Sequence, residues 1–148
     1  MTDVTVETRV ARPRPQVARL MMDPANDLAW IGALTRVEVL GGGPVGTGTQ
    51  VLRVARFLGR TMEYVNEIVE YAPPARLAMR SVRAPFPMTV VYELAEDGDG
   101  TRVTIRTRGD AGGFYRLAAP LLSAAVRRSV AADLRRLKAA VEAEPAGG

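Results

Sequence analysis

The sequence predicts an α+β fold: a curved antiparallel sheet of about seven strands wrapped on one long C-terminal helix, with two short helices after the first strand. Three observations carry this. Stretches of alternating apolar and polar residues follow one another with only turn-like sequence between them. One amphipathic stretch at the end of the chain, residues 113–144, is long enough to cover a sheet. An antiparallel sheet with one buried face must be covered, and no other segment is long enough to do so.

Each element has its own signature. In "TDVTVETRV", Val4, Val6, Thr8 and Val10 alternate with Asp3, Thr5, Glu7 and Arg9, which is the pattern of a half-buried strand. "PRPQVARLMMD" has prolines suited to a helix start and places Val17, Leu20 and Met21 at helical spacing. Asp23-Pro24 ends that helix, and "PANDLAWIGAL" reads as a second short one. "TRVEVL" is a short strand. "TQVLRVARFL" and "RTMEYVNEIVEY" are strands joined by a tight turn at Gly59. Pro73 and Pro74 separate "ARLAMRSV" from what precedes it, and "DGDG" joins "PMTVVYELAE" to "TRVTIRTRG" as a hairpin. The last helix carries Val126, Val130, Leu134, Leu137 and Val141 as its apolar stripe, with Arg127, Arg128, Arg135 and Lys138 mostly facing away. The sequence contains no internal repeat and no linker, so residues 1–144 read as a single domain and 145–148 as a disordered tail.

Composition excludes several chemistries. The 148 residues include no Cys, which removes disulfides, thiolate nucleophiles and cysteine-ligated metals. There is no His either, so no imidazole metal site, Ser-His-Asp triad or Cys-His pair can form. Neither a metal nor a cofactor is expected. Net charge is +4, almost all of the basic residues are Arg, and Lys138 is the sole lysine. These arginines are scattered between apolar residues as the solvent faces of strands and helix, which argues against nucleic acid as a partner. No apolar run approaches the roughly 18 residues of a membrane span. With no signal-peptide pattern at "MTDVTVETRV", no integral membrane association is expected and the default compartment is the cytoplasm.

Two motifs tempt a functional reading. "LGGGPVGTG" holds Gly41, Gly43 and Gly46 in the G-x-G-x-x-G spacing, but a dinucleotide fingerprint must open a helix. The following "TGTQVLRVARFL" is β-branched, alternating and uncapped, so the glycines read as a mobile loop between strands. "EDGDG" offers Asp97 and Asp99 as calcium ligands, yet Thr101 and Arg102 stand where a third ligand and a glycine are required. It reads as a turn.

The order of elements resembles the START/birch-pollen-allergen superfamily, the helix-grip fold. "GRTMEYVNEIVEYAPPARLAMRS", "VYELAEDGDGTRVTI" and "APLLSAAVRRSVAADLRRLKAAVEA" resemble its polyketide cyclase/dehydrase-type branch over nearly the whole chain. The resemblance implies a deep cavity for hydrophobic small molecules, with Trp30 at the cavity end, bordering the entrance.

Strand alternation proposes the lining independently. Glu63 and Glu67 facing water turn Met62, Tyr64, Asn66 and Ile68 inward. By the same logic Leu77, Met79 and Ser81 face inward, as do Met88, Val90, Tyr92 and Leu94, and Val103, Ile105 and Thr107. Leu52 and Val54 are assigned to the same cavity, and Leu122 borders it from the final helix. Phe114, Leu117 and Ala118, in the segment "GGFYRLAA" before Pro120, are expected to gate it.

A mainly apolar lining with dispersed polar groups suits binding or carriage of a lipid, aromatic or polyketide-like molecule. One alternative is a cyclase or dehydratase that works by positioning its substrate, with Tyr64 and Tyr92 donating to an enolate, Asn66 orienting a carbonyl and Arg56 stabilising negative charge. The other is a protein-interaction module with a filled core, using a sheet edge or the Arg-rich side of the final helix, where Asp133 can pair with Arg136 or Arg127. A homodimer is left open, as are the ligand's identity and the pathway.

Overall fold

The structure is a computed structural model that describes residues 2–85, 87–109 and 119–146. Its elements follow in the order β1 (Thr2–Val10), α1 (Arg14–Met21), a 3-10 turn (Pro24–Ala29), β2 (Leu34–Val39), β3 (Gln50–Phe57), β4 (Arg60–Ala72), β5 (Arg76–Arg83), β6 (Met88–Asp97), β7 (Gly100–Gly109) and α2 (Ala119–Glu142). The strands form one antiparallel sheet of seven in the order β1-β7-β6-β5-β4-β3-β2. Every neighbouring pair from β2 to β7 is consecutive in the chain, and β1 closes the far edge against β7. The sheet curls into a half-barrel around α2, the helix-grip arrangement.

Local chemistry sets the connections. Phe57 pairs with Arg60, leaving Leu58 (φ 52°) and Gly59 (φ 76°) as a two-residue hairpin loop. Two consecutive positive φ angles mark the twist-matched turn that joins right-handed strands. Asp97 pairs with Gly100, and there only the first loop residue, Gly98, has positive φ. Of the two expected short helices only α1 is α-helical. The second segment is a 3-10 turn capped by the Asp23 carboxylate, which accepts from Ala25 N at 3.0 Å, and Trp30 lies just beyond its end. A six-residue segment between Pro24 and Gly32 is too short for an α-helix to gain from elongation.

The core lies between the concave face of the sheet and α1, α2 and the 3-10 turn. Ile68, Met79, Tyr92, Leu94, Val103 and Ile105 come from the sheet, Met21 and Met22 from the first helix and its end, and Leu134, Leu137 and Val141 from α2. The lower half of the expected α2 stripe is thus fully buried, while Val126 and Val130 are half-buried. The C-terminal end of α2 is tied down by polar contacts. Arg12 donates to the Glu142 carbonyl at 2.7 Å, Lys138 to the Arg9 carbonyl of β1 at 2.7 Å, and Gln16 to the Pro145 carbonyl at 3.0 Å. The described part of α2 runs from Ala119, one residue before Pro120, to Glu142.

No helix among the described residues is long and apolar enough to cross a membrane.

Candidate functional site: a buried polar cluster on the concave face

The pairing register decides which side chains share the concave face, because side chains directly opposite one another project from the same side. Ile68 pairs with Met79, Met79 with Val90, and Val90 with Thr107. Leu77 pairs with Tyr92, and Tyr92 with Ile105. Asn66 pairs with Ser81. Met62, Tyr64, Asn66, Met79, Ser81, Met88, Val90, Tyr92, Ile105 and Thr107 therefore come together on one face.

Strand β3 departs from expectation. Val51 lies opposite Asn66, Arg53 opposite Tyr64 and Ala55 opposite Met62. The odd positions face inward, so Leu52, Val54 and Arg56 project from the other side. Leu52 is buried and Val54 half-buried there, and Arg56 is exposed. The expected parity fails for a physical reason. Arg53 and Arg56 fall on opposite faces of one strand, so charge alone cannot say which face is wet. The inward arginine is tolerated because a carboxylate meets it.

That carboxylate is Asp27, on the 3-10 turn. Arg53 Nε and Nη2 both donate to Asp27 Oδ2, at 3.0 and 2.7 Å. The side chains are 5% and 1% exposed, so the pair is sealed from water. Removal from water outweighs the attraction of Arg53 and pushes the Asp27 carboxyl up to about 6. Burial also works against the Arg53 charge, but the Asp27 carboxylate more than compensates and holds the guanidinium above its ordinary value. Sequence reasoning singles out neither residue. The one available signal is an acid, Asp27, inside the stretch "PANDLAWIGAL", which is apolar but for Asn26 beside it.

Other polar groups gather around this pair. The Tyr64 and Tyr92 hydroxyls are both pushed up by burial, and Arg53 only partly offsets it, so each phenol stays protonated and serves as a donor at neutral pH. Trp30 packs its ring edge-on against Tyr92 with centroids 5.7 Å apart. Asp133 of α2 accepts from the Gly32 backbone N–H at 2.9 Å and from Arg136 Nη1 at 2.8 Å. Burial raises the Asp133 carboxyl, and the Gly32 amide and Arg136 counter that rise. Of the two arginines considered for Asp133, Arg136 is therefore a partner.

Three buried polar atoms in this region have no hydrogen-bond partner: Arg53 Nη1, Trp30 Nε1 and Asn66 Oδ1. An unmet buried polar group costs about 1–3 kcal/mol, so three in one region require an explanation beyond stability. Ser81 is different, since its hydroxyl accepts the Met88 N–H at 3.0 Å across the β5–β6 connection.

Exposure along the concave face is graded. Met62, Tyr64, Ser81, Met88, Val90 and Thr107 are half-buried, as is Leu122 at the start of α2. One register step deeper, Asn66, Met79, Tyr92 and Ile105 are buried, and Trp30, expected to border the entrance, is instead only 1% exposed, because its ring packs into the core against Tyr92. Exposure on the concave face thus rises towards the end where β3 turns into β4, while Arg53, Asn66 and Trp30 of the polar cluster are themselves buried. Phe114, Leu117 and Ala118 lie outside the described residues. A separate surface groove of about 400 Å³ runs between α1 and the β4–β5 turn, lined by Ala18, Arg19, Met22, Tyr71, Pro73 and Pro74 among others, and it contains none of the expected site residues.

Comparisons with known proteins accord with this geometry. The model of the family described as "Polyketide cyclase / dehydrase and lipid transport" matches residues 1–142. No curated protein matches the chain. Among solved structures, the protein TTHA0849 from Thermus thermophilus is 22% identical, with 95% of this chain and 97% of that one covered at a TM-score of 0.84. A START superfamily protein from Mycobacterium smegmatis is 12% identical, covering 97% and 99% at a TM-score of 0.83. The Zhui aromatase/cyclase from Streptomyces sp. R1128 is 21% identical, covering 99% and 98% at a TM-score of 0.78. At these identities the likeness is one of fold.

Proposed function

The chain belongs to the polyketide cyclase/dehydrase and lipid transport family, and from that premise we propose that it binds or carries a hydrophobic small molecule on the concave face of its sheet. The observation that supports this most directly is the graded lining. Apolar side chains at the accessible end lead to a buried floor where Arg53 Nη1, Trp30 Nε1 and Asn66 Oδ1 lack partners. Small-molecule sites combine an apolar wall with a few placed polar groups in this way. Native mass spectrometry of the purified protein tests the reading directly. Retained lipophilic mass, lost on denaturation, is the expected result. A persistently empty protein that also binds no added hydrophobic probe would refute it and favour a protein-interaction module.

One observation favours a second reading, an enzyme of the cyclase or dehydratase type. Asp27, pushed up to about 6, lies 2.7 Å from Arg53, so an acid–base group near neutral poise stands beside a fixed cation. Of the four groups considered from sequence, Tyr64, Tyr92 and Asn66 lie on the concave face and Arg56 does not. Arg53 takes over the role given to Arg56 in that alternative. The protonated tyrosines act there as donors to a developing enolate, not as bases.

A further inference from the structure

Resting on the ligand-binding reading, we infer that the ligand enters polar end first and presents a neutral oxygen acceptor, a carbonyl or ether-like oxygen, to Arg53 Nη1 at the floor of the concave face. The Arg53 guanidinium is only half used. Its Nε and Nη2 edge is committed to a single oxygen of Asp27, while Nη1 has no partner. Arginine offers five N–H donors in a rigid fork, so the free donors have a fixed position and cannot turn towards Asp27 without breaking the bonds already made. Arg53 is 4% exposed, and water at the surface cannot satisfy it.

The neighbouring unmet atoms define what else the ligand meets. Asn66 sits one step along β4 from Tyr64, which lies directly opposite Arg53, so Arg53 and Asn66 are diagonal neighbours on the same face. Trp30 Nε1 is a donor on the residue whose ring packs against Tyr92. Two donors and one acceptor, Arg53, Trp30 and Asn66, suit a carbonyl that carries a nearby hydroxyl.

Charge balance selects neutral over anionic. Asp27 already compensates Arg53, and Asp133 is matched by Arg136. Each carboxylate near the cluster has its one arginine. A ligand carboxylate would add a third negative charge with no cation left over, in a region sealed from water. A neutral acceptor takes the Nη1 hydrogen bonds without that penalty.

A matched probe series tests this: 2-acetylnaphthalene, 2-ethylnaphthalene and 2-naphthoate, titrated calorimetrically and followed by the emission of Trp30, the sole tryptophan. The ketone is expected to bind about tenfold or more tighter than the ethyl compound, as for one hydrogen bond to a charged donor. In the double variant Asp27→Asn/Arg53→Met, which removes both charges together, the ratio of ketone to ethyl-compound affinity is expected to fall to within about twofold, whatever the absolute affinities become. Equal affinity of ketone and ethyl compound in the unaltered protein would overturn the inference and leave hydrophobic binding standing, as when ordered water alone meets the unpaired atoms. Tighter binding of the naphthoate than of the ketone would overturn the neutral assignment. Failure of all three probes to bind, with an empty protein by native mass spectrometry, would remove the binding reading and this inference with it. Should the double variant fail to fold, the three titrations of the unaltered protein decide the matter by themselves.

Discussion

Arg53 and Asp27 hold opposite charges in a place where neither could stand alone. Removing one partner leaves the other uncompensated, which costs about 3–5 kcal/mol for buried pairs. Arg53→Met is therefore expected to be strongly destabilised in urea denaturation, and the double variant Asp27→Asn/Arg53→Met to recover most of the loss. The same pair gives the protein a signature in pH. The Asp27 carboxyl is raised from 3.8 to about 6 on folding, so between those values the folded state binds the proton more tightly than the unfolded state. This site's contribution to stability is then full below about pH 4 and lost as pH rises through 6, by at most about 3 kcal/mol. The stability of the natural protein relative to Asp27→Asn is expected to fall between pH 4 and 7. A difference that rises over that interval would show that Arg53 holds the carboxyl down instead.

At the scale of single elements, the turns offer clean tests. Leu58 is the one non-glycine residue with positive φ among the described residues, in the first loop position of the β3–β4 hairpin. Its side chain is 67% exposed, so nothing packs well enough to repay the strain. Leu58→Asn, which suits that conformation before Gly59, is expected to raise stability by about 0.5–1 kcal/mol in thermal melts. Gly100 makes the opposite case, since a Cβ there would stand 2.6 Å from the Val10 carbonyl oxygen in the neighbouring strand. Gly100→Ala is expected to cost about 1–3 kcal/mol by forcing β1 and β7 apart. Both positions follow from short-range patterns, and so does most of what the sequence discloses. Alternation around Glu63, Glu93 and Arg102 identifies the inner faces of β4, β6 and β7, because within the central stretches 61–69, 89–95 and 101–109 the charged residues fall on one side only. β3 has Arg on both sides, and its parity is not legible from charge. Asp27 and Arg53 are 26 residues apart in the chain, and no local pattern tells that they will meet.

For the molecule as a whole, the order of strands and the closing helix are legible because consecutive hairpins leave few topologies open. The depth of the interior is not, since it depends on how far α2 stands off the sheet. That distance is set by contacts along the helix. Arg12, Gln16 and Lys138, the last through the Arg9 carbonyl, secure its last turns, and Asp133 joins its middle to Gly32 ahead of β2. Over residues 119–129 the described side-chain hydrogen bond to the sheet is that of Arg127 to the Thr5 carbonyl, at 3.0 Å and exposed. Backbone amides of residues 134–141 are accordingly expected to exchange with deuterium far more slowly than those of 122–128. Equal protection along the whole helix would contradict this.

The tether at Asp133 therefore divides α2 into a fixed stem and a more lightly held arm. On the proposed ligand-binding reading, swinging that arm outward by a few ångströms would admit a guest without disturbing the stem, so traffic into the protein need not loosen its foundation. Cutting the tether, as Asp133→Ala would do, moves the pivot towards the tail and lengthens the arm. Such a protein should load and empty faster, and hold its cargo less firmly.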